Sequence, residues 1–553
     1  MLLQEKINPT RLILLALISS VLLWLAWPPI PFNFVVFIAL VPLLAVEDNI
    51  SRFYKRRFWT VFLFSYITFT FWNLFTTYWI WYASHWAIFA IAANALFMTI
   101  TFTLFFAVKR RGGRILGYIS LICFWLSFEM LHLNWDAPWP WLNIGNVFGA
   151  MPNWVQWYEY TGVLGGTVWV WAVNILIYEG LRQVIGDRGQ GIEKQSSVNS
   201  HQISEKKNSF RLLYIALGVI VVPVVISYSI KPKNDAPTGK ANMVAVQPNI
   251  DPYLNKFDPA TYASQINTLI SLSEGALDSN TVAIAWPETA IAEDVNEQSL
   301  FSQPSVIRIH EFLKKHPRIK LITGISTNII YPKNAPHSST ARPFPDKTAW
   351  YDLFNTALLM DYSNNVETYH KSKLVPGVEK MPLKFLEQLS IDEGGASGSL
   401  GSQDTPTVFK INDTLKAAPV ICYESIFGDH VRQFVKKGAD VITIITNDGW
   451  WKNSPGYMQH LYFGSLRAIE TRRFMVRSAN TGVSCFVLPS GKIIQPTEYW
   501  VPAAIKAPLI INHSLTFYTK YGDYIGWAAV WLGAFFFIFL VISAFFKPKK
   551  QLK

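Results

Sequence analysis

The chain has 553 residues, of which 51% are hydrophobic and only 16% charged. A soluble globular chain carries about 25% charged residues, so an ordinary soluble enzyme is excluded, as are disordered and fibrous chains. The length calls for at least two units, and the formal net charge of +12 needs to be located before it is interpreted.

Eight apolar runs suit membrane crossing, at residues 12–27, 32–46, 59–81, 86–108, 115–131, 161–178, 212–229 and 524–546. A spanning helix needs ~20 apolar residues. The second run is short and contains Pro42, but removing it would invert every later loop. With the N-terminus cytoplasmic, the inside segments hold 20 Lys and Arg, in clusters such as Arg52, Lys55, Arg56, Arg57 and Lys109, Arg110, Arg111, Arg114. The short outside connections, including the aromatic stretch 132–160, hold none. This is the positive-inside pattern. The inside segments are more basic than the whole chain, so the excess is topological and no nucleic-acid partner is expected. The first run has no small-x-small cleavage site and more spans follow, so it reads as retained. Aromatics reach 15%, with 22 Trp, and their crowding early in the chain points to membrane interfaces; the stretch 135–160 reads as an aromatic belt or a substrate-facing loop. Glu129 and Glu179 fall near span ends, where contact with headgroups or water is the expected account. Residues 186–208 read as a polar linker.

Between the last two runs, residues 230–523 change texture and fall by parity on the non-cytoplasmic side. Short β-branched segments (ANMVAVQPNI, TVAIAWPETA, IKLITGIST, NTALLMDYS, AAPVICYES, ADVITIITNDGWW, GVSCFVLPS) alternate with helical stretches at 304–316 and 458–476. That alternation predicts an α/β sheet with helices on its faces. Residues 333–347 read as a surface loop.

Ligand sites of open α/β sheets lie beyond the carboxyl ends of strands, and three segments put reactive side chains there. TVAIAWPE ends in Glu288; an apolar setting would raise its pKa for base chemistry, while the plainer account is an acid at a helix start. YHKSKLVP and its continuation offer Lys371, Lys373 and Lys380, any of which can stabilise an oxyanion or simply be solvated. AAPVICYES places Cys422 at a strand-to-helix turn, which lowers a thiol pKa and exposes the sulfur; a buried structural cysteine is the alternative. Cys123 and Cys485 fit that alternative. With three cysteines and no CxxC pair, no disulfide framework, metal or cofactor is expected.

A WPE, a YxKxxLVP and an ICYE in this order resemble the nitrilase superfamily, whose catalytic set is Glu, Lys and Cys. With membrane helices on both sides, the chain resembles the apolipoprotein N-acyltransferase family. The resemblance implies an α-helical transmembrane bundle of eight spans plus an extracytoplasmic α/β nitrilase-like domain, an α-β-β-α sandwich. Units are then expected at 1–230, 231–522 and 523–553. Matched residue by residue, it implies Glu288 as general base, Lys371 as oxyanion lysine and Cys422 as nucleophile. Glu379 matches a supporting glutamate, Tyr423 and Glu424 follow the nucleophile, and Trp450 matches an aromatic near the acyl-binding region. The chain departs from the family pattern at Gly377-Val378 before Glu379, at Phe257 where tryptophan is frequent, and at Trp451-Lys452.

The implied reaction carries an sn-1 acyl chain from a phosphatidylethanolamine-like phospholipid, through a Cys422 thioester, to the amine of a diacylglyceryl-cysteine lipoprotein. A covalent carrier splits one difficult step into two. The expected setting is the bacterial inner membrane, with a monomer whose catalytic domain faces the periplasm. Other readings are a membrane-tethered amidase using water as acceptor, and a non-catalytic transport or assembly factor.

Overall fold

The computed structural model describes residues 5–85, 87–191, 210–232, 235–237, 239–381 and 399–545. Most of the predicted linker 186–208 and the basic tail 547–553 lie outside them.

The apolar runs become helices: Pro9–Ala26, Val36–Ala39 continuing into Val41–Phe53, Arg57–Thr77, Ala87–Asn134, Tyr158–Gly191, Arg211–Ile230 and Tyr524–Phe545. Pro42 stands in the first turn of its helix, where no intrahelical N–H is needed. Seven helices among the described residues are long and apolar enough to cross a membrane. One of them, Ala87–Asn134, contains two of the predicted runs. Its 48 residues would span about 72 Å if straight, but Gly113 has φ 86° and ψ 179°, and the chain breaks there among Lys109, Arg110, Arg111 and Arg114.

Two expectations about the acids are corrected. Glu179 accepts from Arg114 Nη1 (2.9 Å) and Tyr118 Oη (2.5 Å) and pairs with Arg182 (2.7 Å). Arg114 also pairs with Asp48 (2.8 Å), and Lys109 pairs with Glu47. Glu179 therefore joins an ion-pair network tying three helices together, because opposite charges there are cheaper to bury than single ones. Glu129 is fully buried. It accepts from Ile144 N (2.8 Å), Thr167 Oγ1 (2.8 Å) and Trp125 Nε1 (3.2 Å), pinning the aromatic stretch to the bundle. That stretch folds into short 3-10 turns, Pro140–Leu142, Ile144–Ala150 and Pro152–Trp154. Trp141 is in the core rather than in a belt.

The α/β unit has two sheets. The first contains β1 Asn242–Gln247, β2 Thr281–Ala285, β3 Ile291–Asn296, β4 Lys320–Pro332, β5 Arg342–Pro343, β6 Ala349–Met360 and β7 Val366–His370. The second contains β8 Phe409–Lys410, β9 Lys416–Ile421, β10 Val441–Thr446, β11 Phe474–Ala479, β12 Cys485–Val487 and β13 Ile493–Ile494. β14, Ala503–Pro508, returns to the first sheet. The orders are β14-β1-β2-β4-β6-β5, with β3 on β4 and β7 on β6, and β13-β12-β11-β10-β9-β8. The central pairs β1–β2, β2–β4, β9–β10 and β10–β11 are parallel.

Met243, Ala245, Ala283 and Ala285 of the first sheet share a core with Ala418, Val420, Ile442 and Val476 of the second, so the sheets face one another. Helices Tyr262–Ala276 and Pro304–Lys315 cover the first sheet through Ile266, Leu269, Ile309 and Phe312. Gly428–Lys436 and Pro455–Thr471 cover the second. The layers are thus α-β-β-α. Phe463, Leu466 and Ile469 of Pro455–Thr471 belong to the same cluster as the membrane helices, so the second helix layer rests on the bundle. The helix predicted to run to residue 476 ends at Thr471; Arg472 is left-handed (φ 52°), and the remaining residues begin β11.

Candidate active site

Each of the three singled-out segments is a strand whose carboxyl end opens on one place. Cys422 follows β9 and has φ +50°, a conformation that costs a non-glycine residue free energy and turns the side chain out of the strand. The residue retains 8% exposure. It opens a 3-10 turn, Cys422–Ile426, rather than an α-helix.

Glu288 follows β2 and sits against β4. A Cβ on Gly324 would lie 2.4 Å from Thr289 N and 2.7 Å from Glu288 Cα, so only glycine permits this approach. Lys371 follows β7 and is 1% exposed. Its Nζ donates to Glu288 Oε1 (3.0 Å) and Glu379 Oε1 (2.8 Å). Geometry thereby separates the three candidate lysines. Lys373 Nζ lies over the Phe427 ring at 5.5 Å, and Lys380 pairs with exposed Asp136 (2.8 Å). The Gly377-Val378 departure is accommodated by a turn in which Gly377 takes φ +78° and Glu379 N donates to Val375 O (2.9 Å). Glu379 Oε2 then accepts from Val375 N (2.8 Å).

Burial alone would raise the Glu288 carboxyl, but Lys371, the Asn355 amide and Lys256 outweigh it and hold it below the usual range. The expected upward shift is therefore corrected: Glu288 rests as a carboxylate. The two carboxylates hold Lys371 charged despite its burial. The expected lowering of the Cys422 thiol is also corrected. Burial pushes it up, Glu288 pushes the same way, and Lys371 opposes them. The resting thiol thus keeps its proton beside an anionic acceptor.

Glu424 is buried beneath this arrangement. It accepts from Tyr369 Oη (2.6 Å), Ser372 N (2.6 Å), Lys373 N (3.2 Å) and Ile421 N (2.8 Å). Tyr423 Oη donates to Pro138 O (2.7 Å), joining the Cys422 turn to the aromatic stretch. Trp450 lies farther out, stacked on Phe257 (6.3 Å between centroids) and edge-on to Tyr253 (5.4 Å).

Three groups went unread in the sequence. Asn355, a polar residue within apolar β6, donates to both Glu288 Oε1 (2.8 Å) and Glu379 Oε1 (2.9 Å). Lys256 is buried beside Glu288. His460 Nε2 lies 3.1 Å from Cys422 O, and its Nδ1 2.9 Å from Asp448 Oδ1. Cys422, Asp448 and His460 have ligand-type atoms within 4.8 Å of one another, yet Arg477 already occupies Asp448 and opposes a cation there. Only the inward-facing polar residue on an apolar strand was a signal available beforehand.

A sequence profile for the carbon-nitrogen hydrolase family matches residues 244–508, and one for the apolipoprotein N-acyltransferase N-terminal domain matches residues 19–176. Together the two matches support identification with the apolipoprotein N-acyltransferase family. Its relatives include the apolipoprotein N-acyltransferase of Chlorobaculum tepidum, 28% identical over 92% of each chain. That of Rickettsia prowazekii is 28% identical over 72% of this chain and 71% of its own length. Among solved structures, a mutant amidase of the nitrilase superfamily from Nesterenkonia AN1 aligns with 51% of this chain and 93% of its own, at 15% identity and a TM-score of 0.34. The family assignment, the apolar helices and the two-sheet unit together describe a multi-pass inner-membrane acyltransferase with a nitrilase-like domain.

Proposed function

We propose that this chain transfers an acyl chain from a membrane phospholipid, through a thioester on Cys422, to the N-terminal amine of diacylglyceryl-cysteine lipoproteins. The observation carrying the reading is the convergence of Glu288, Lys371 and strained Cys422 at three strand ends.

In the first half-reaction Glu288 takes the Sγ proton and the thiolate attacks the sn-1 ester carbonyl. Lys371 and a backbone N–H stabilise the oxyanion. The C–O bond breaks, and the departing lysophospholipid alkoxide receives the proton from Glu288. In the second, the lipoprotein amine attacks the thioester and gives its proton to Glu288. The C–S bond breaks and Cys422 recovers the proton as the amide forms. Glu379 and Asn355 hold Lys371 and Glu288 in place, Tyr423 and Glu424 fix the nucleophile turn, and Trp450 lines the outer acyl region.

In this reading residues 1–230 cross the membrane seven times, 231–522 form the periplasmic catalytic unit, and 523–553 supply the eighth span and a basic tail. The donor is phosphatidylethanolamine-like and the enzyme works as a monomer. The reason for a membrane seat is energetic: extracting lipid chains into water costs about 0.8 kcal/mol per CH₂.

Intact-protein mass spectrometry after incubation with phospholipid tests the reading. The expected result is one acyl adduct, released by hydroxylamine, absent in Cys422→Ala, and discharged by a diacylglyceryl-cysteine peptide. Release of free fatty acid alone would establish the amidase-type reading instead. Full lipoprotein acylation by Cys422→Ala would favour a non-catalytic role.

A further inference from the structure

Lys256 has no part in the scheme above, yet it is 2% exposed and aimed at Glu288. It lies between β1 and helix Tyr262–Ala276 in a turn with little freedom. Lys256 N donates to Asp251 O (3.0 Å), and Gln265 Nε2 donates to Asn255 O (2.9 Å) and Lys256 O (3.1 Å). The side chain then runs inward, and Nζ donates to the Glu288 carbonyl oxygen (2.9 Å). With its amide oxygen turned inward, Asn447 accepts from Lys256 Nζ and from Trp450 Nε1, both at 3.2 Å. The Asn447 N–H donates to Glu288 Oε2 (3.1 Å). One ammonium is therefore linked to the backbone of Glu288 and to the residue that holds its carboxylate.

Burying an ammonium without a directly paired carboxylate is expensive, so its retention calls for a task. The groups whose charge reaches it from other elements are Glu288 and Cys422, with Lys371 and Glu379 on the far side of Glu288. On its own segment the carboxylates of Asp251 and Asp258 are engaged by the N–H groups of Tyr253 and Ala260.

We propose that Lys256 is a positioning residue that fixes the Glu288 backbone and, as a second cation beside Lys371, keeps the Glu288 carboxyl anionic for the proton transfer from Cys422. The inference rests on the acyl-transfer reading of Glu288 and Cys422. Burial draws the Lys256 ammonium down to about 8, so it is charged wherever the acid limb is measured.

The test is the rate of acyl-enzyme formation from pH 4 to 8 in the wild type, Lys256→Met and Lys256→Arg. Removing the cation raises the Glu288 pKa, so in Lys256→Met the acid limb moves up by about one pH unit or more and the plateau falls tenfold or more. Lys256→Arg restores the cation and holds the limb at the wild-type position. A limb unmoved in a folded Lys256→Met, or displaced equally in both variants, overturns the proposal. Lys256→Gln replaces Met if thermal unfolding in detergent shows that the latter does not fold. If the wild type forms no acyl-enzyme, the acyl-transfer reading fails; if it does and only the limb is unmoved, this inference alone fails.

Discussion

Four donors converge on the buried Glu424 carboxylate, from Tyr369, Ser372, Lys373 and Ile421. They bring together the loop that carries Lys371 and the turn that carries Cys422. Hydrogen bonds to a charged group contribute about 1.5–3 kcal/mol each. Glu424→Gln sets an amide donor against N–H donors, so it is expected to lower stability by about 2 kcal/mol or more and acyl-enzyme formation at least tenfold. Tyr369→Phe removes one donor and is expected to cost about 1.5–3 kcal/mol. Thermal unfolding in detergent and intact-protein mass spectrometry check both. Glu288 makes a pH prediction of its own. Because Lys371 and Asn355 hold its carboxyl below the usual range, its base form persists through neutral pH and the acylation rate stays level down to about pH 5. A rate already halved near pH 6.5 would contradict that.

At the scale of elements, two helix breaks depend on glycine for different reasons. Gly113 has φ +86° and a Cβ there would meet nothing within 4 Å. Gly162 has φ +61°, and a Cβ would lie 2.4 Å from Tyr518 Cε2. Gly113→Ala therefore carries only the backbone penalty, about 1–3 kcal/mol. Gly162→Ala adds a clash with the ring whose hydroxyl donates to Asp523 (2.8 Å), and is expected to be the more damaging. Comparing the two melting temperatures in detergent tests the ranking. The reading of elements from periodicity succeeded where burial is uniform: each of the seven β-branched segments contains a strand. It failed at residues 472–476, because the short apolar run Phe474–Val476 suits a helix end and a strand start equally.

Across the whole molecule, the catalytic unit and the bundle share polar contacts as well as apolar ones. Gln459 Oε1 accepts from Trp141 Nε1 (2.7 Å) and Trp79 Nε1 (3.2 Å), and Arg472 pairs with Glu159 (2.6 Å). Glu470 Oε1 accepts from Val163 N (3.1 Å). Burial pushes Glu470 up to about 7, against Arg467, and Asp523 up to about 6, with Asp429 adding to the effect. Both acids are favoured neutral in the folded state, since unfolded Asp and Glu titrate near 3.9 and 4.3. The stability they contribute is complete below those values and is lost as pH rises through 6 and 7. The melting temperature in detergent is thus expected to fall between about pH 4 and 7 and to level off above that, and Asp523→Asn to flatten the lower part of that fall.

Composition, apolar run length and the placement of Lys and Arg were enough to predict a membrane-embedded chain with a separate α/β unit, because each follows from local chemistry and needs no partner. Three strand-end motifs were enough to name Glu288, Lys371 and Cys422 through their resemblance to a family. The ionisation of those groups was decided only by the tertiary structure. A carboxyl after WP and a thiol at a turn have no fixed pKa; Lys371 and Asn355 arrive from distant strands to keep Glu288 charged, and the surrounding layers bury Cys422 and keep its proton on. The same holds for Glu129 and Trp141, which read as interfacial groups in the sequence and became internal because neighbouring helices and the second helix layer closed over them.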